Sequence, residues 1–131
     1  MHNVNNNPFV LISAELSSLS QEENKQRTEE LLARLQRADM AFKKVQGKYQ
    51  GTTETSYLVV AMTASDRTFL EILGKEYGQE CILYVDRDRL ATLIYSDKVT
   101  PIGSFKLISK DKEPTGDYTY DYETNTYWSI I

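Results

Sequence analysis

The sequence contains very little cysteine and histidine. Its 131 residues include one cysteine, Cys81, and one histidine, His2. No disulfide can form within the chain, which fits a reducing cytoplasm. Zinc sites need several such ligands at defined spacing, so the sequence excludes them. A cysteine–histidine nucleophile pair is not expected either, because His2 lies in a polar arm and Cys81 begins an apolar strand. Cys81 is predicted to be a small core residue.

The motifs that bind phosphate or activate a serine are also missing. The chain has no glycine-rich phosphate loop and no G-x-S-x-G turn. Asp86 and Asp88 could form a carboxylate site for Mg²⁺ or Ca²⁺, but an arginine follows each acid, which favours a solvated hairpin turn. The sequence therefore predicts no catalytic residue, no metal ligand and no cofactor. Whether the protein is an enzyme stays open, with a non-catalytic role favoured.

Long hydrophobic runs are absent as well. The longest apolar run is too short to span a membrane, and the polar start MHNVNNNP does not resemble a secretion signal. Hydrophobic residues make up 40% of the chain and charged residues 26%, as is usual for a globular domain. We expect a flexible arm at residues 1–8, a single domain at residues 9–131, and a cytoplasmic location (a host cytoplasm if the chain is phage-encoded).

Negative charge is concentrated at the C-terminal end. The net charge is −4, yet residues 1–110 carry fourteen acidic and fourteen basic side chains. Residues 111–131 carry five acids and one base. Nucleic-acid binding requires clustered lysine and arginine, so nucleic acid is not the expected ligand.

The clearest secondary-structure signal is a helix over residues 20–38. Ser20 and Glu23 form a capping box, and leucines recur behind it at helical spacing. Apolar and β-branched runs predict strands on both sides, and a second helix, capped by Ser65, is predicted to begin at Asp66. The predicted strands cover residues 9–15, 42–49, 54–62, 81–85, 90–95, 99–108, 118–122 and 126–130.

The order of these elements predicts the fold class. The chain runs β-α-β-β-α-β and then continues with C-terminal strands. This order is typical of an α+β, ferredoxin-like split βαβ fold, with two helices on one face of a mainly antiparallel sheet.

One candidate site is a polar cluster at the starts of three elements. It consists of helix residues Asn24 and Arg27, and of four residues at the starts of two strands: Glu54, Ser56, Gln79 and Glu80. The first interpretation is a structural Arg27–Glu54 ion pair, which is favoured because buried charges need partners. The second is a pocket that holds an anionic or amide-bearing ligand through Arg27 and Asn24.

A second candidate site is the C-terminal hairpin, where aromatic and acidic residues are concentrated. Such aromatic residues are enriched in protein interfaces. The alternative is a hairpin that packs its tyrosines over the sheet and leaves its acids in water. The candidate partner-binding residues are Tyr118, Tyr120, Tyr122, Tyr127, Trp128, Asp117 and Asp121.

Three segments carry a family resemblance: ENKQRTEELLARL, GKYQGTTETSYLV and YGQECILY. In this order, over residues 9–95, they resemble a family of small bacterial and phage proteins classified only as domain of unknown function 3293. The tail NTYWSII resembles the phage-encoded members. The resemblance implies no activity. The matching positions are Glu23, Asn24, Arg27, Leu31, Glu54, Ser56, Tyr57, Leu58, Val59, Tyr77, Gly78 and Gln79.

The leading functional hypothesis is a small, non-catalytic, phage-type accessory protein. It would act by binding a host protein, in host takeover or against host defence, and a homo-oligomer is left open. The first alternative is a binder of small molecules or nucleotide-like anions, or a minimal enzyme, that uses Asn24, Arg27, Glu54 and Gln79. The second alternative is a structural component of the virion.

Overall fold

The computed structural model describes residues 7–131, so most of the predicted flexible arm lies outside the described residues. Within that range, neither helix is long and apolar enough to cross a membrane. The elements, in chain order, are β1 Phe9–Ile12, α1 Gln21–Arg37, β2 Phe42–Tyr49, β3 Thr52–Val60, α2 Ala64–Glu76, β4 Ile82–Val85, β5 Leu90–Ile94, β6 Val99–Lys110, β7 Tyr118–Asp121 and β8 Thr126–Ile130.

The strands form a closed antiparallel barrel in the order β1-β3-β2-β7-β8-β6-β5-β4, with β4 paired back to β1. The predicted ferredoxin-like α+β fold is therefore wrong. The first part of the chain does place β3 between β1 and β2, as a split βαβ unit does. The later strands, however, run on from β4 around to β2. They join the two edges that an open sheet would leave unpaired.

Both helices begin at a capping box. In α1 the Ser20 hydroxyl accepts from the Glu23 amide at 3.1 Å, which confirms the predicted N-cap. The cap predicted for α2 is wrong, because Thr63 takes that role instead of Ser65. The reason is local, because Asp66 stands three residues after Thr63. Its carboxylate accepts a hydrogen bond from the Thr63 amide at 3.3 Å. The residue three positions after Ser65 is a threonine, which has no carboxylate to return.

The barrel wall separates two hydrophobic cores. On its outer side, fully buried leucines of α1 and α2 pack against Val10, Ile12 and Val59. On its inner side, Val45, Val85 and Phe105 help to fill the barrel. Alternate side chains of a strand point to opposite faces, so β1 and β3 contribute to both cores. This is why β1, and β3 from Tyr57 onwards, are apolar at every position.

One end of the barrel is closed by its own side chains. The Lys43 ammonium and the Asp121 carboxylate are 2.5 Å apart, and each side chain is 7% exposed. Beside them the rings of Phe105 and Trp128 are stacked, with centroids 5.4 Å apart. Trp128 and Asp121 therefore belong to the barrel interior, and the main cavity of the described residues opens at the opposite end.

Candidate active site in the barrel mouth

The open end of the barrel leads into a cavity of about 490 Å³. This volume lies within the roughly 300–1,000 Å³ range of small-molecule sites. Its deeper wall is apolar and its mouth is polar. The deeper wall includes Leu11, Val45, Leu83, Leu93, Phe105 and Ile130, and the mouth includes Ser13, Tyr49, Glu54, Gln79, Glu80 and Asp117.

The alternation of β3 explains this gradient. Its inward-facing residues change from Glu54 and Ser56 near the mouth to Leu58 and Val60 near the closed end. Glu54 lies opposite Gly47 of β2 in the strand register. Glycine has no side chain, and the ring of Tyr49 lies in the space that a side chain at residue 47 would fill.

The charged groups of the cavity are acidic. Burial raises the pKa of the Glu54 carboxyl, the nearby charge of Glu15 raises it further, and the Ser13 hydroxyl opposes the rise. Glu80 and Asp117 are the other two charged residues of the lining. No lysine, arginine or histidine occurs among the described residues that line the cavity. A cavity with such a lining favours a cationic ligand over an anion.

Cys81 lies at the cavity wall and is partly exposed, so its predicted place in the core is wrong. Burial raises the pKa of its thiol, and the charge of Glu80 adds to the rise, while a contact with Tyr95 opposes it. The thiolate is the nucleophilic form of cysteine, so a raised pKa makes Cys81 a weak nucleophile at neutral pH.

Asn24 and Arg27 lie outside the cavity and hold the loop that follows β1. Both atoms of the Asn24 amide bond to the backbone of Leu16, at 2.9 Å each. The Arg27 guanidinium donates to the carbonyl oxygens of Ala14, at 2.7 Å, and of Tyr77. In residues 7–131 no ion pair joins Arg27 to Glu54, because the guanidinium is taken up by these carbonyls.

Gln79 connects the same loop to the start of β4. Its side-chain amide donates to the Glu15 carbonyl at 2.9 Å, and the Glu15 carboxylate accepts from the Thr55 amide at 2.9 Å. The structure thus divides the predicted polar cluster in two. Glu54, Ser56, Gln79 and Glu80 line the cavity. Asn24 and Arg27 fix its rim, and ligand binding by the cluster stays a prediction.

The predicted partner-binding residues are divided between the two faces of the barrel wall. Four tyrosines lie on the outer face, where Tyr120 contacts the rings of Tyr122 and Tyr127, and Tyr118 contacts Tyr127. Asp121 and Trp128 point inward, and Asp117 reaches the cavity mouth. Partner binding by the tyrosine face stays a prediction.

Three more residues line the cavity but belong to neither site predicted from the sequence: Ser13, Tyr49 and Cys81. A signal for Tyr49 was present in the sequence. Val45, Gly47 and Tyr49 alternate along β2 and therefore share one face. Had Val45 been placed inside a barrel, Tyr49 would have followed it.

We expect Asn24→Ala to lower the free energy of unfolding by about 1–3 kcal/mol, because two part-buried backbone groups of Leu16 lose their partner. Urea denaturation measures this change. Gln26→Ala, an exposed position on the same helix, is the control and should change stability by less than about 0.5 kcal/mol. Equal stability of the two variants would contradict the anchoring role of Asn24.

Comparison with known proteins identifies the family. No curated protein matches the chain. The family model described as the S-adenosylmethionine lyase family matches residues 10–131. The resemblance to domain of unknown function 3293 is therefore wrong. The hypothesis of a non-catalytic accessory protein that binds a host protein is also wrong, because the matching family is one of enzymes. The match covers nearly the whole barrel, and the chain belongs to the S-adenosylmethionine lyase family.

Proposed function

We propose that this protein binds S-adenosylmethionine in the barrel cavity and breaks a carbon–sulfur bond of its sulfonium group without using water. The observation that carries the proposal is the acidic cavity of about 490 Å³ in a chain that matches this lyase family. A cytoplasmic location belongs to the proposal, because a single cysteine fits a reducing compartment.

The charge of the substrate suits the mouth of the cavity. S-adenosylmethionine carries a sulfonium and an ammonium against one carboxylate, so it is a net cation. Glu54, Glu80 and Asp117 supply negative charge at the mouth, where they attract the cation and accept hydrogen bonds from its donors.

The apolar wall suits the reaction. When a carbon–sulfur bond breaks, its electron pair moves to sulfur and the sulfonium becomes a neutral thioether. Leu11, Leu83 and Leu93 solvate a cation poorly compared with water. A sulfonium held against this wall is therefore destabilised relative to a transition state in which its charge is disappearing.

The substrate can supply its own nucleophile. In the described lining, no basic side chain is available to pair with the substrate carboxylate, and the Cys81 thiol is largely protonated. The carboxylate can attack the γ-carbon of its own chain. The new carbon–oxygen bond forms as the carbon–sulfur bond breaks, which gives a lactone and 5′-methylthioadenosine. No proton, water or cofactor is consumed, and the protein contributes by holding the reactive geometry.

The test is to incubate S-adenosylmethionine with the protein in isotopically labelled water and to identify products by mass spectrometry. We expect 5′-methylthioadenosine together with an unlabelled lactone at early times. S-adenosylhomocysteine is the control and should persist, because it has no positively charged sulfur. An unsaturated amino acid in place of the lactone would indicate elimination, and unconsumed S-adenosylmethionine would contradict the function itself.

A further inference from the structure

Tyr49 presents an aromatic ring at the mouth of the cavity. It is the last residue of β2, lines the cavity and is 41% exposed. Its hydroxyl is 2.7 Å from the hydroxyl of Thr119, which is buried in the barrel. The tip of the ring is therefore held in place while a large part of its surface stays open to a ligand.

Gly47 gives this ring its position. A Cβ atom at residue 47 would lie 2.8 Å from Cε2 of Tyr49 and 3.3 Å from Cδ2. Real carbon atoms do not approach so closely, so the ring lies against a place in the wall that only glycine leaves free. The Cδ2–Cε2 side of the ring lies against Gly47 of β2, and the residue lines the cavity.

Two carboxylates stand next to the ring. Glu54 lies opposite Gly47 in the register of β2 and β3. Asp117 accepts a hydrogen bond from the amide of Gln50, the residue after Tyr49, at 2.9 Å. An aromatic ring that can stack on a base, next to a carboxylate that can accept from ribose hydroxyls, is a combination suited to a nucleoside.

We propose that Tyr49 is a specificity-determining residue that stacks on the adenine of the substrate at the cavity mouth. This inference rests on the proposed function and deepens it. The nucleoside half binds at the mouth, with its ribose beside Glu54 and Asp117, and the sulfonium lies between these carboxylates and the apolar wall. Sulfonium compounds without an aromatic base, such as S-methylmethionine, are consequently poor ligands.

The test measures the affinity of 5′-methylthioadenosine by calorimetry, which does not depend on turnover. Tyr49→Leu removes the ring and should weaken binding roughly 10- to 100-fold. Gly47→Ala forces the ring to move and should also weaken binding. Tyr49→Phe keeps the ring and should lose less than about tenfold. Tyr122→Leu, which removes a tyrosine 45% exposed on the outer face, is the matched control and should bind as the wild type does.

The outcomes separate this inference from the function. A Tyr49→Leu variant that folds, by circular dichroism, and binds 5′-methylthioadenosine as tightly as the wild type overturns the stacking role, even if the wild type cleaves S-adenosylmethionine. If Tyr49→Leu does not fold, unchanged affinity in Gly47→Ala overturns it equally. A wild type that neither binds the nucleoside nor cleaves S-adenosylmethionine overturns both proposals. If Tyr49→Leu weakens the binding of S-methylmethionine less than that of 5′-methylthioadenosine, stacking is supported. Equal weakening of both ligands contradicts it.

Discussion

Replacing Glu54 with glutamine should remove most of the lyase activity and should also stabilise the folded protein near neutral pH. The activity falls because Glu54 is the half-buried carboxylate of the mouth, and glutamine cannot offer a negative charge to a cationic substrate. A hydrogen bond to a charged partner contributes about 1.5–3 kcal/mol, so kcat/KM should drop roughly 10- to 100-fold. The rate of 5′-methylthioadenosine release measures this.

The gain in stability follows from the raised pKa of Glu54. Burial and the charge of Glu15 raise the pKa of this carboxyl in the folded protein above its unfolded value. At a pH above the folded pKa, Glu54 is charged in both states, and that charge destabilises the fold. As the pH falls through the folded pKa, the folded state takes up the proton first and the destabilisation fades. Below the unfolded pKa it is gone.

Glu54→Gln carries no charge at any pH. Its melting temperature should therefore exceed that of the wild type above the folded pKa of Glu54, and the difference should shrink towards acidic pH. Glu123→Gln removes one exposed carboxylate outside the cavity and is the control, with unchanged activity expected. A Glu54→Gln protein that is fully active, or less stable than the wild type at neutral pH, would show that this carboxylate is not a strained binding group.

Local patterns predicted the secondary-structure elements well and the fold poorly, for a physical reason. The capping box at Ser20 is fixed by residues three positions apart, so the sequence displays it directly. Closure of the barrel depends on the pairing of β7 with β2, in which Asp121 lies opposite Val45. Alternation of side chains says which face a strand buries but not which distant strand it pairs with. The sequence therefore predicts a hairpin added to the sheet, whereas β7 and β8 form part of the barrel wall.

The candidate site was predictable where polar residues stood at strand starts. Glu54 and Gln79 were recognised because polar side chains there are unusual next to apolar strands, and the barrel brings both to one mouth. The role of Arg27 is harder to predict, because its partners are the backbone carbonyls of Ala14 and Tyr77. Every residue has a backbone carbonyl, so no side chain in the sequence marks these partners. Gly47 gives no signal of a site in the sequence, although its missing side chain makes room for the ring of Tyr49.

The two ends of the barrel use charge in opposite ways. At the mouth, Glu54, Glu80 and Asp117 have no cation beside them in the described lining, which keeps their negative charge available to a ligand. At the closed end, Asp121 is paired with Lys43 and takes no part in the open cavity. Because Lys43 neutralises Asp121, this buried acid adds no net negative charge to the substrate cavity.

This buried pair gives the largest expected loss of stability. Asp121→Asn would leave the Lys43 ammonium buried without a counterion, because each side chain of the pair is only 7% exposed. Removal of one partner from such a pair costs about 3–5 kcal/mol, much of the stability of a domain of this size. Lys43→Met should cost a similar amount, since it strands the Asp121 carboxylate. Denaturation in urea measures both.

The double variant Lys43→Met with Asp121→Leu decides whether the charge or the packing matters. A pair of apolar side chains needs no partner, so the double variant should be far more stable than either single variant. Lys48→Met is the control: its ion pair with Glu113 is 3.3 Å long and more exposed, so it should cost less than about 1 kcal/mol. If each single variant lost as little as this control, the closed end would not depend on its ion pair. If the double variant were as unstable as the singles, shape and not charge would hold this end together.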